Sequence, residues 1–167
     1  MPLSIIQKDI TTMDVDAIVN ASNINLKMGS GVCGAIFTAA GARKLQAACD
    51  KLAPIKTGEA VLTPGFKLTA KYIIHTAGPI YCDGKHGEAR LLHNAYTNSL
   101  ICAEKNGCNS IAFPLISSGA YGYPKTEAIQ VALCAIRDFI QEHDINVFLV
   151  IFDNVLFKQA LSLGGMK

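Results

Sequence analysis

The sequence lacks the segments that would place it in a membrane or direct it out of the cell. No apolar run approaches the length of a membrane-spanning helix, and Met1 to Asp9 has neither the charged start nor the long apolar stretch of a signal peptide. No two of the six cysteines have the Cys-x-x-Cys spacing, so they are expected to be buried free thiols in a reducing compartment. These absences predict a cytoplasmic protein.

Charge of one sign is not in excess. The 15 Lys and Arg residues are balanced by 13 Asp and Glu residues, and neither sign forms a long run. Because no basic stripe is present, nucleic acid is not expected as a partner.

Repeats, low-complexity tracts and long linkers are also absent. The 167 residues, half of them apolar, are enough for one core and not for two, so residues 1–167 are expected to form a single domain. Short β-branched runs alternate with segments of helical period. This pattern predicts a three-layer α/β/α fold with a mostly parallel central sheet of about six to seven strands and helices on both faces.

The pattern also predicts where the elements lie. The predicted strands are Leu3–Gln7, Ala17–Asn20, Ala60–Pro64, Tyr72–Ala77, Ser110–Pro114 and Val147–Phe152. The predicted helices are Val32–Ala40, Ala42–Leu52, Glu88–Asn106, Lys125–Gln141 and Val155–Leu161. Ligands of such sheets bind beyond the carboxyl ends of the strands, which directs attention to the loops after Asn20, Ala77, Pro114 and Phe152.

Two of these loops contain several glycines and precede a helix. The first runs from Asn20 to Gly34, and the second runs from Ser117 to Pro124. Backbone N–H groups at a helix N-terminus bind anions, because several donors converge and the helix dipole favours negative charge. One such loop alone indicates a tight turn, whereas two at one edge predict a clamp for a diphosphate.

The stretch Gly29–Gly34 also matches the G-x-G-x-x-G fingerprint of nicotinamide-dependent oxidoreductases, with Asp50 about twenty residues further on. That fingerprint follows its strand directly, whereas eight residues separate Asn20 from Gly29. Asp50 also falls in a helical pattern rather than at the end of a strand. A nicotinamide-dependent oxidoreductase is therefore a much weaker interpretation of this loop, and no cofactor is expected.

An ordered set of segments resembles macrodomains over nearly the full length of the chain. The segments are Lys8–Thr11, Val15–Asn23, the glycine loop up to Gly41, Thr57–Ala60, Tyr72–Pro79 and Ile111–Pro124. Each is weakly specific alone, but the set at these spacings is specific. The resemblance is closest to the branch that removes mono-ADP-ribose from proteins and deacetylates O-acetyl-ADP-ribose.

This resemblance implies a site for ADP-ribose. Asp9 and the Ile10 amide would recognise adenine, Phe152 would pack on the adenine face, and Asn154 would lie near the proximal ribose. The loop residues that would hold the phosphates and the distal ribose are Gly31, Val32, Cys33, Ser117, Ser118, Gly119, Ala120 and Tyr121. From the residues alone, Asp9 could instead cap a turn, and Phe152 could be a core aromatic.

Asn20 and Asn23 are the candidate catalytic residues. Both are short amides beside a glycine loop, where they can orient ribose hydroxyls or a water, and the resemblance assigns Asn23 to the distal ribose and to turnover. The alternative is an amide that only bonds to nearby backbone, which suits Asn20 better than Asn23. The expected reaction is attack of a positioned water on the anomeric carbon, with positioning and charge stabilisation supplying most of the rate.

The chain departs from the family pattern at Cys33 and Phe37. The resembling hydrolases usually have Gly-Gly-Gly-Gly-Val-Asp-Gly followed by a His, whereas this chain has Gly-Ser-Gly-Val-Cys-Gly followed by Phe. A thiol replaces a base only if the helix N-terminus lowers its pKa.

His75 lies in an apolar strand and is expected to be a satisfied core histidine. Cys82, His86 and His93 lack a second pair at ligand spacing, so no metal is expected.

These features are compatible with three classes of function. The first is a hydrolase of ADP-ribosyl ester bonds, on mono-ADP-ribosylated Asp or Glu or on O-acetyl-ADP-ribose; the second is a non-catalytic module that reads ADP-ribose. The third, an RNA-binding protein, is disfavoured by the nearly neutral charge. The expected partner is ADP-ribose or an ADP-ribosylated protein, bound by a monomer that resembles free-standing bacterial members by analogy.

Overall fold

A computed structural model describes residues 2–166, and all six predicted strands form one sheet. The strands are β1 (Leu3–Ile6), β2 (Ala17–Ser22), β3 (Ala60–Pro64), β4 (Tyr72–Ala77), β5 (Ser110–Phe113) and β6 (Asn146–Val150). They lie in the order β1-β6-β5-β2-β4-β3, and neighbouring strands are parallel except for β3, which is antiparallel to β4. The predicted α/β fold with a mostly parallel sheet is confirmed.

Within residues 2–166 there are five α-helices, all of them predicted; four lie between strands and the fifth follows β6. They are α1 (Gly31–Ala40), α2 (Ala42–Asp50), α3 (Glu88–Lys105), α4 (Lys125–Ile140) and α5 (Asn154–Leu163). A 3-10 helix at Ile10–Thr12 was not predicted, because three residues carry no periodicity; Asp9 starts it by accepting a hydrogen bond from the Thr11 N–H at 3.0 Å. Within residues 2–166, no helix is long and apolar enough to cross a membrane.

The sheet separates two apolar layers because consecutive strand residues point to opposite faces. Val19 and Ile74 pack with α3, α4 and α5, whereas Ile18 and Ile73 pack with α1, α2 and the 3-10 helix. All four side chains are fully buried. The central strands are therefore apolar on both faces, as a covered parallel sheet requires.

The cysteine prediction is correct for half of the thiols and needs correction for the others. All six cysteines are free, and Cys33, Cys49 and Cys108 are buried. Cys102 is only half-buried, and Cys82 and Cys134 are exposed. Cys82 lies in an irregular loop, and Cys134 is on the outer side of α4 although its neighbours Leu133 and Ala135 are buried.

Glu88, the first residue of α3, organises the loop before that helix. Its carboxylate is buried and accepts hydrogen bonds from the backbone N–H groups of Cys82, Asp83, Gly84 and His86 at 2.6 to 3.1 Å. Burial alone would raise the pKa of Glu88, but the backbone hydrogen bonds outweigh it and lower the pKa to about 2. The ionised form is therefore the one that holds the loop.

We expect Glu88→Gln to reduce the free energy of unfolding most at neutral pH. Because the folded state depresses the pKa of Glu88, its stabilisation is present above its ordinary pKa of 4.5 and is lost as the pH falls toward 2. The difference between wild type and variant should therefore shrink steadily over that window in urea unfolding experiments. Glu142→Gln, at an exposed glutamate after α4, is the matched control. A Glu88→Gln effect that is equal at all pH values would contradict this account.

Candidate functional site

A cavity of about 500 Å³ lies at the carboxyl edge of the sheet. Its walls come from four strands: residues at the end of β2, Gly78 after β4, residues 114–121 after β5, and residues 150–153 at the end of β6. Parallel pairing of β2 with β4 and with β5 brings these ends together. The volume falls in the usual range of small-molecule sites, roughly 300–1,000 Å³.

The first glycine loop (residues 23–34) ends in an open helix start. Gly31 has φ +59°, a left-handed conformation that favours glycine, and a Cβ on Gly34 would lie 2.6 Å from the carbonyl oxygen of Gly29. Ser30 is the N-cap but makes no side-chain hydrogen bond to α1. The first-turn N–H groups of Gly31 to Cys33 therefore remain available, and these residues line the cavity. This end of α1 is built to accept an anion.

Two polar side chains of α2, Gln46 and Asp50, form hydrogen bonds to the first glycine loop. Gln46 accepts from the Met28 N–H and donates to the Leu26 carbonyl, both at 3.0 Å. Asp50 pairs with Lys27 at 2.8 Å, and the hydrogen bond from Lys27, supported by that from Gln46, lowers the pKa of Asp50. Asp50 therefore anchors the loop and does not line the cavity; it is the last residue of α2, which confirms the helical pattern predicted for it.

The second glycine loop (residues 115–123) supplies a second group of donors. Ser117 has φ +67° and its Oγ donates to the Pro79 carbonyl at 2.8 Å, which fixes the loop against the segment after β4. Among the hydrogen bonds formed within residues 2–166, none uses the N–H groups of Ser118 to Tyr121. All of these residues, with Ser117, line the cavity. Two sets of backbone donors thus border one space.

Asn23 lines the cavity and also shapes the first glycine loop. Its Nδ2 donates to the Lys27 carbonyl at 2.9 Å, and its Oδ1 accepts from the Lys27 N–H at 3.0 Å. The side chain thus closes a local turn by bonding to backbone, the behaviour that was assigned to Asn20 rather than to Asn23. One Nδ2 hydrogen and one Oδ1 lone pair remain for a ligand.

Asn20 is fully buried in β2 and does not line the cavity, so the expectation of direct contact with a ribose is corrected. Its Nδ2 lies 3.1 Å from His75 Nδ1 and 3.6 Å from the Cys33 Sγ. Thr63 donates to the Pro64 carbonyl, so its hydroxyl accepts from His75 Nε2 at 2.9 Å and leaves His75 Nδ1 to accept from Asn20.

This buried network is uncharged. Burial lowers the pKa of His75 to about 4, so the ring is neutral at physiological pH, and it is the satisfied core histidine that the sequence predicted. Phe37, which stands where the family has a His, is also fully buried and meets His75 edge-on with ring centroids 6.4 Å apart. Neither ring reaches the cavity.

Phe152 is 77% exposed, lines the cavity and is therefore not a core aromatic. Its neighbour Asp153 also lines the cavity and caps α5 by accepting from the Leu156 N–H at 2.8 Å. Asn154, predicted to lie near the proximal ribose, is exposed and is not among the lining residues, whereas Asp153 is one of them. Asp before an apolar helix is a capping signal, which could have identified this residue.

Asp9 and Ile10 lie outside the cavity lining. Asp9 is exposed and caps the 3-10 helix, while the Ile10 side chain is buried in the core beside α1. Because β1 pairs with β6 and Gln7 donates to the Phe152 carbonyl at 3.2 Å, this turn stands at the Phe152 end of the sheet edge. Both residues are therefore placed beyond Phe152 rather than in the body of the cavity.

The cavity has many hydrogen-bond donors and few acid or base groups. Among the described residues that line it, Asp153 is the one carboxylate, and it is occupied as a helix cap. Cys33 donates weakly to the Lys27 carbonyl at 3.8 Å. The arrangement suits a ligand with two phosphates and an aromatic ring, held by positioning rather than by ion pairs.

Comparison with known proteins agrees with this architecture. A model of the family described as Macro domain matches residues 19–132. The O-acetyl-ADP-ribose deacetylase of Salmonella typhimurium is 48% identical over 157 residues, covering 90% of this chain and 87% of the relative. The one from Escherichia fergusonii is 45% identical over 172 residues, covering 98% and 97%.

Solved structures show the same fold. A mutant Oceanobacillus iheyensis macrodomain with ADPR has a TM-score of 0.92 and 39% identity, covering 96% of this chain and 90% of that one. The Trypanosoma brucei macrodomain in complex with ADP-ribose has a TM-score of 0.88 and 34% identity, covering 96% and 68%. The sequence, the sheet order and the two donor loops lead to one assignment: the chain belongs to the macrodomain family.

Proposed function

We propose that this chain binds ADP-ribose and hydrolyses ADP-ribosyl ester bonds, either on mono-ADP-ribosylated Asp and Glu or in O-acetyl-ADP-ribose. The observation that carries the proposal is the pair of loops whose unused N–H groups border one cavity, at Gly31 to Cys33 and at Ser118 to Tyr121. Relatives named O-acetyl-ADP-ribose deacetylase support the activity, and macrodomain structures with ADP-ribose support the ligand.

The ligand lies across the sheet edge in this proposal. The two sets of N–H groups hold the diphosphate, and Phe152 packs on the adenine ring. Asp9 and the Ile10 N–H, beyond Phe152, recognise the adenine edge. Asp153 replaces Asn154 as the residue beside the proximal ribose, and Asn23 and Tyr121 border the distal ribose.

The reaction needs little acid–base chemistry. On O-acetyl-ADP-ribose, a water held between a phosphate oxygen and the distal ribose attacks the acetyl carbonyl carbon, the bond from that carbon to the ribose oxygen breaks, and the water's proton passes to that oxygen. On an ADP-ribosylated Asp or Glu, the same water attacks the anomeric carbon, the bond to the carboxylate oxygen breaks, and the water's proton passes to solvent. The leaving carboxylate is weakly basic and needs no proton donor. Asn23 and the loop N–H groups orient the sugar and stabilise the developing charge.

Cys33 acts in this scheme as a spacer rather than as a base. Its thiol accepts from Asn20 at 3.6 Å and donates to the Lys27 carbonyl at 3.8 Å, so it links the loop to the buried network. Asn20 therefore contributes by positioning the start of α1.

The second candidate function, a non-catalytic reader of ADP-ribose, is favoured by the absence of the family Asp at position 33 and of the family His at position 37.

The first prediction separates the hydrolase from the reader through Asn23. We expect Asn23→Ala to lower the rate of ADP-ribose release from a glutamate-linked mono-ADP-ribosylated protein by roughly 100-fold, because sugar orientation and loop shape are lost together. Asn25→Ala, in the same loop but exposed and outside the cavity lining, should keep wild-type rates. Titration of ADP-ribose by calorimetry accompanies the assay. Binding without release by wild type would establish the reader instead.

The second prediction concerns stacking on Phe152. Its removal in Phe152→Ala should weaken ADP-ribose binding by about 1–3 kcal/mol, the usual contribution of an aromatic ring stacked on a base. Ribose 5-phosphate, which has no base, should bind both proteins equally. Ile80→Ala, at an exposed apolar residue outside the cavity lining, is the matched control. Equal ADP-ribose affinities of wild type and Phe152→Ala would place the adenine elsewhere.

The third prediction concerns the residue at position 33. If the thiol is only a spacer, Cys33→Ala should retain release rates within about threefold, whereas Cys33→Asp should raise them by about tenfold or more by adding a base beside the sugar. Calorimetric affinities for ADP-ribose should stay similar, and thermal unfolding should verify that both variants fold. A Cys33→Ala variant with no measurable release would make the thiol a participant in the chemistry.

A further inference from the structure

A second group of reactive side chains lies on the outer surface of the α3–α4 layer, where no residue lines the ADP-ribose cavity. His93 from α3 meets Cys134 and Asp138 from α4, and the three ligand atoms all lie within 4.8 Å of one another. His93 Nε2 is 3.8 Å from Asp138 Oδ2, and the Cys134 Sγ is 3.7 Å from the same oxygen.

Helix geometry explains why the three groups converge. Cys134 and Asp138 are four residues apart on α4 and therefore lie on one face of the helix, one turn above the other. The packed helix α3 presents His93 to that face. Sites built on two packed helices hold their ligands more precisely than sites on loops.

The distances fit a shared ion better than a direct ion pair. Zinc binds Cys sulfur at about 2.3 Å and His nitrogen or carboxylate oxygen at about 2.0–2.2 Å, so tetrahedral ligands stand roughly 3.3–3.6 Å apart. The separations of Asp138 Oδ2 from Cys134 Sγ and from His93 Nε2, 3.7 and 3.8 Å, are close to those values, and the His93 and Cys134 ligand atoms lie within 4.8 Å of each other. The direct histidine–carboxylate pairs of this protein are much shorter, at 2.8 Å for His86 with Asp83 and 2.6 Å for His143 with Glu104.

His93 is also held in an orientation that suits ligation. Its Nδ1 lies 3.4 Å from the Thr97 hydroxyl, one turn further along α3, which leaves Nε2 toward Asp138 and Cys134. A ligating histidine typically uses its second ring nitrogen in this way, because the outer hydrogen bond fixes the tautomer.

We propose that His93, Cys134 and Asp138 form a zinc site. A thiolate, an imidazole and a carboxylate are together the ligands that zinc accepts, and binding releases the thiol proton of Cys134 to solvent. The three protein ligands leave a fourth position open for water or a small ligand. His93 and Cys134 also border an open surface depression of about 400 Å³, to which Arg90 and Gln130 contribute.

This inference departs from the sequence-based expectation of no metal. Cys82, His86 and His93 lie close together along the chain, whereas the proposed ligands come from two helices, with His93 and Cys134 separated by 41 residues (134 − 93) in sequence. Cys82, Asp83 and His86 also cluster, but all three lie on one exposed loop rather than on two packed helices. That cluster therefore serves as the internal control.

The test is a titration of the full chain with Co²⁺, which reports thiolate ligation through its charge-transfer absorption, followed by displacement with Zn²⁺. One Co²⁺ per chain with a thiolate band is expected for wild type. Cys134→Ser should abolish the band, and His93→Ala should weaken binding by at least about 100-fold, more than loss of an outer-shell partner costs. Cys82→Ser should behave as wild type.

Several outcomes would overturn the proposal: no thiolate band in wild type, a band that Cys82→Ser removes, or one that His93→Ala leaves at full affinity. Thermal unfolding gives an independent readout, because an ion that binds only the folded chain raises the melting temperature. Zn²⁺ should raise it in wild type and Cys82→Ser but not in Cys134→Ser. Since Cys134 and Asp138 are exposed, the variants are expected to fold without the metal.

Discussion

The parallel pairing of β2 with β4 on one side and with β5 on the other determines where this protein can bind a ligand. It aligns Ala17 with both Tyr72 and Ile111, so that the three strands run in step and finish at one edge of the sheet. Each strand must then turn back over a helix, and the turns meet above that edge. The two glycine loops are the turns after β2 and β5, and their unpaired N–H groups are a consequence of this arrangement.

The helix and strand pattern was predictable because both faces of the sheet are covered. Buried parallel strands such as Tyr72–Ala77 are nearly continuous apolar runs, and helices such as α3 show a clear period. The antiparallel direction of β3 was not predictable from its own residues. It depends on the connection to β4, since Gly65 and Lys71 bond across a short turn between the two strands.

The candidate site was predictable as a set of loops but not in its detailed roles. Asn20 and Asn23 have the same side chain and are three residues apart in sequence. Asn20 is fully buried within the sheet, whereas Asn23 closes a turn. They differ because Asn20 lies inside β2, between β4 and β5, whereas Asn23 follows the strand, which continues two residues further than predicted. The site on α3 and α4 was beyond sequence reasoning because it requires knowing which helix faces meet.

The buried network of Asn20, His75 and Cys33 couples the core of the sheet to the first glycine loop. Within residues 2–166, Asn20 Oδ1 is the buried side-chain oxygen or nitrogen without a hydrogen-bond partner. It stays unpaired because Nδ2 is engaged by both His75 and Cys33. The orientation of the Asn20 amide therefore depends both on His75 in the core and on Cys33 at the end of the first glycine loop. Substitutions at positions 20, 33 and 75 are therefore expected to have non-additive effects on stability, because each changes the partners of the same amide group.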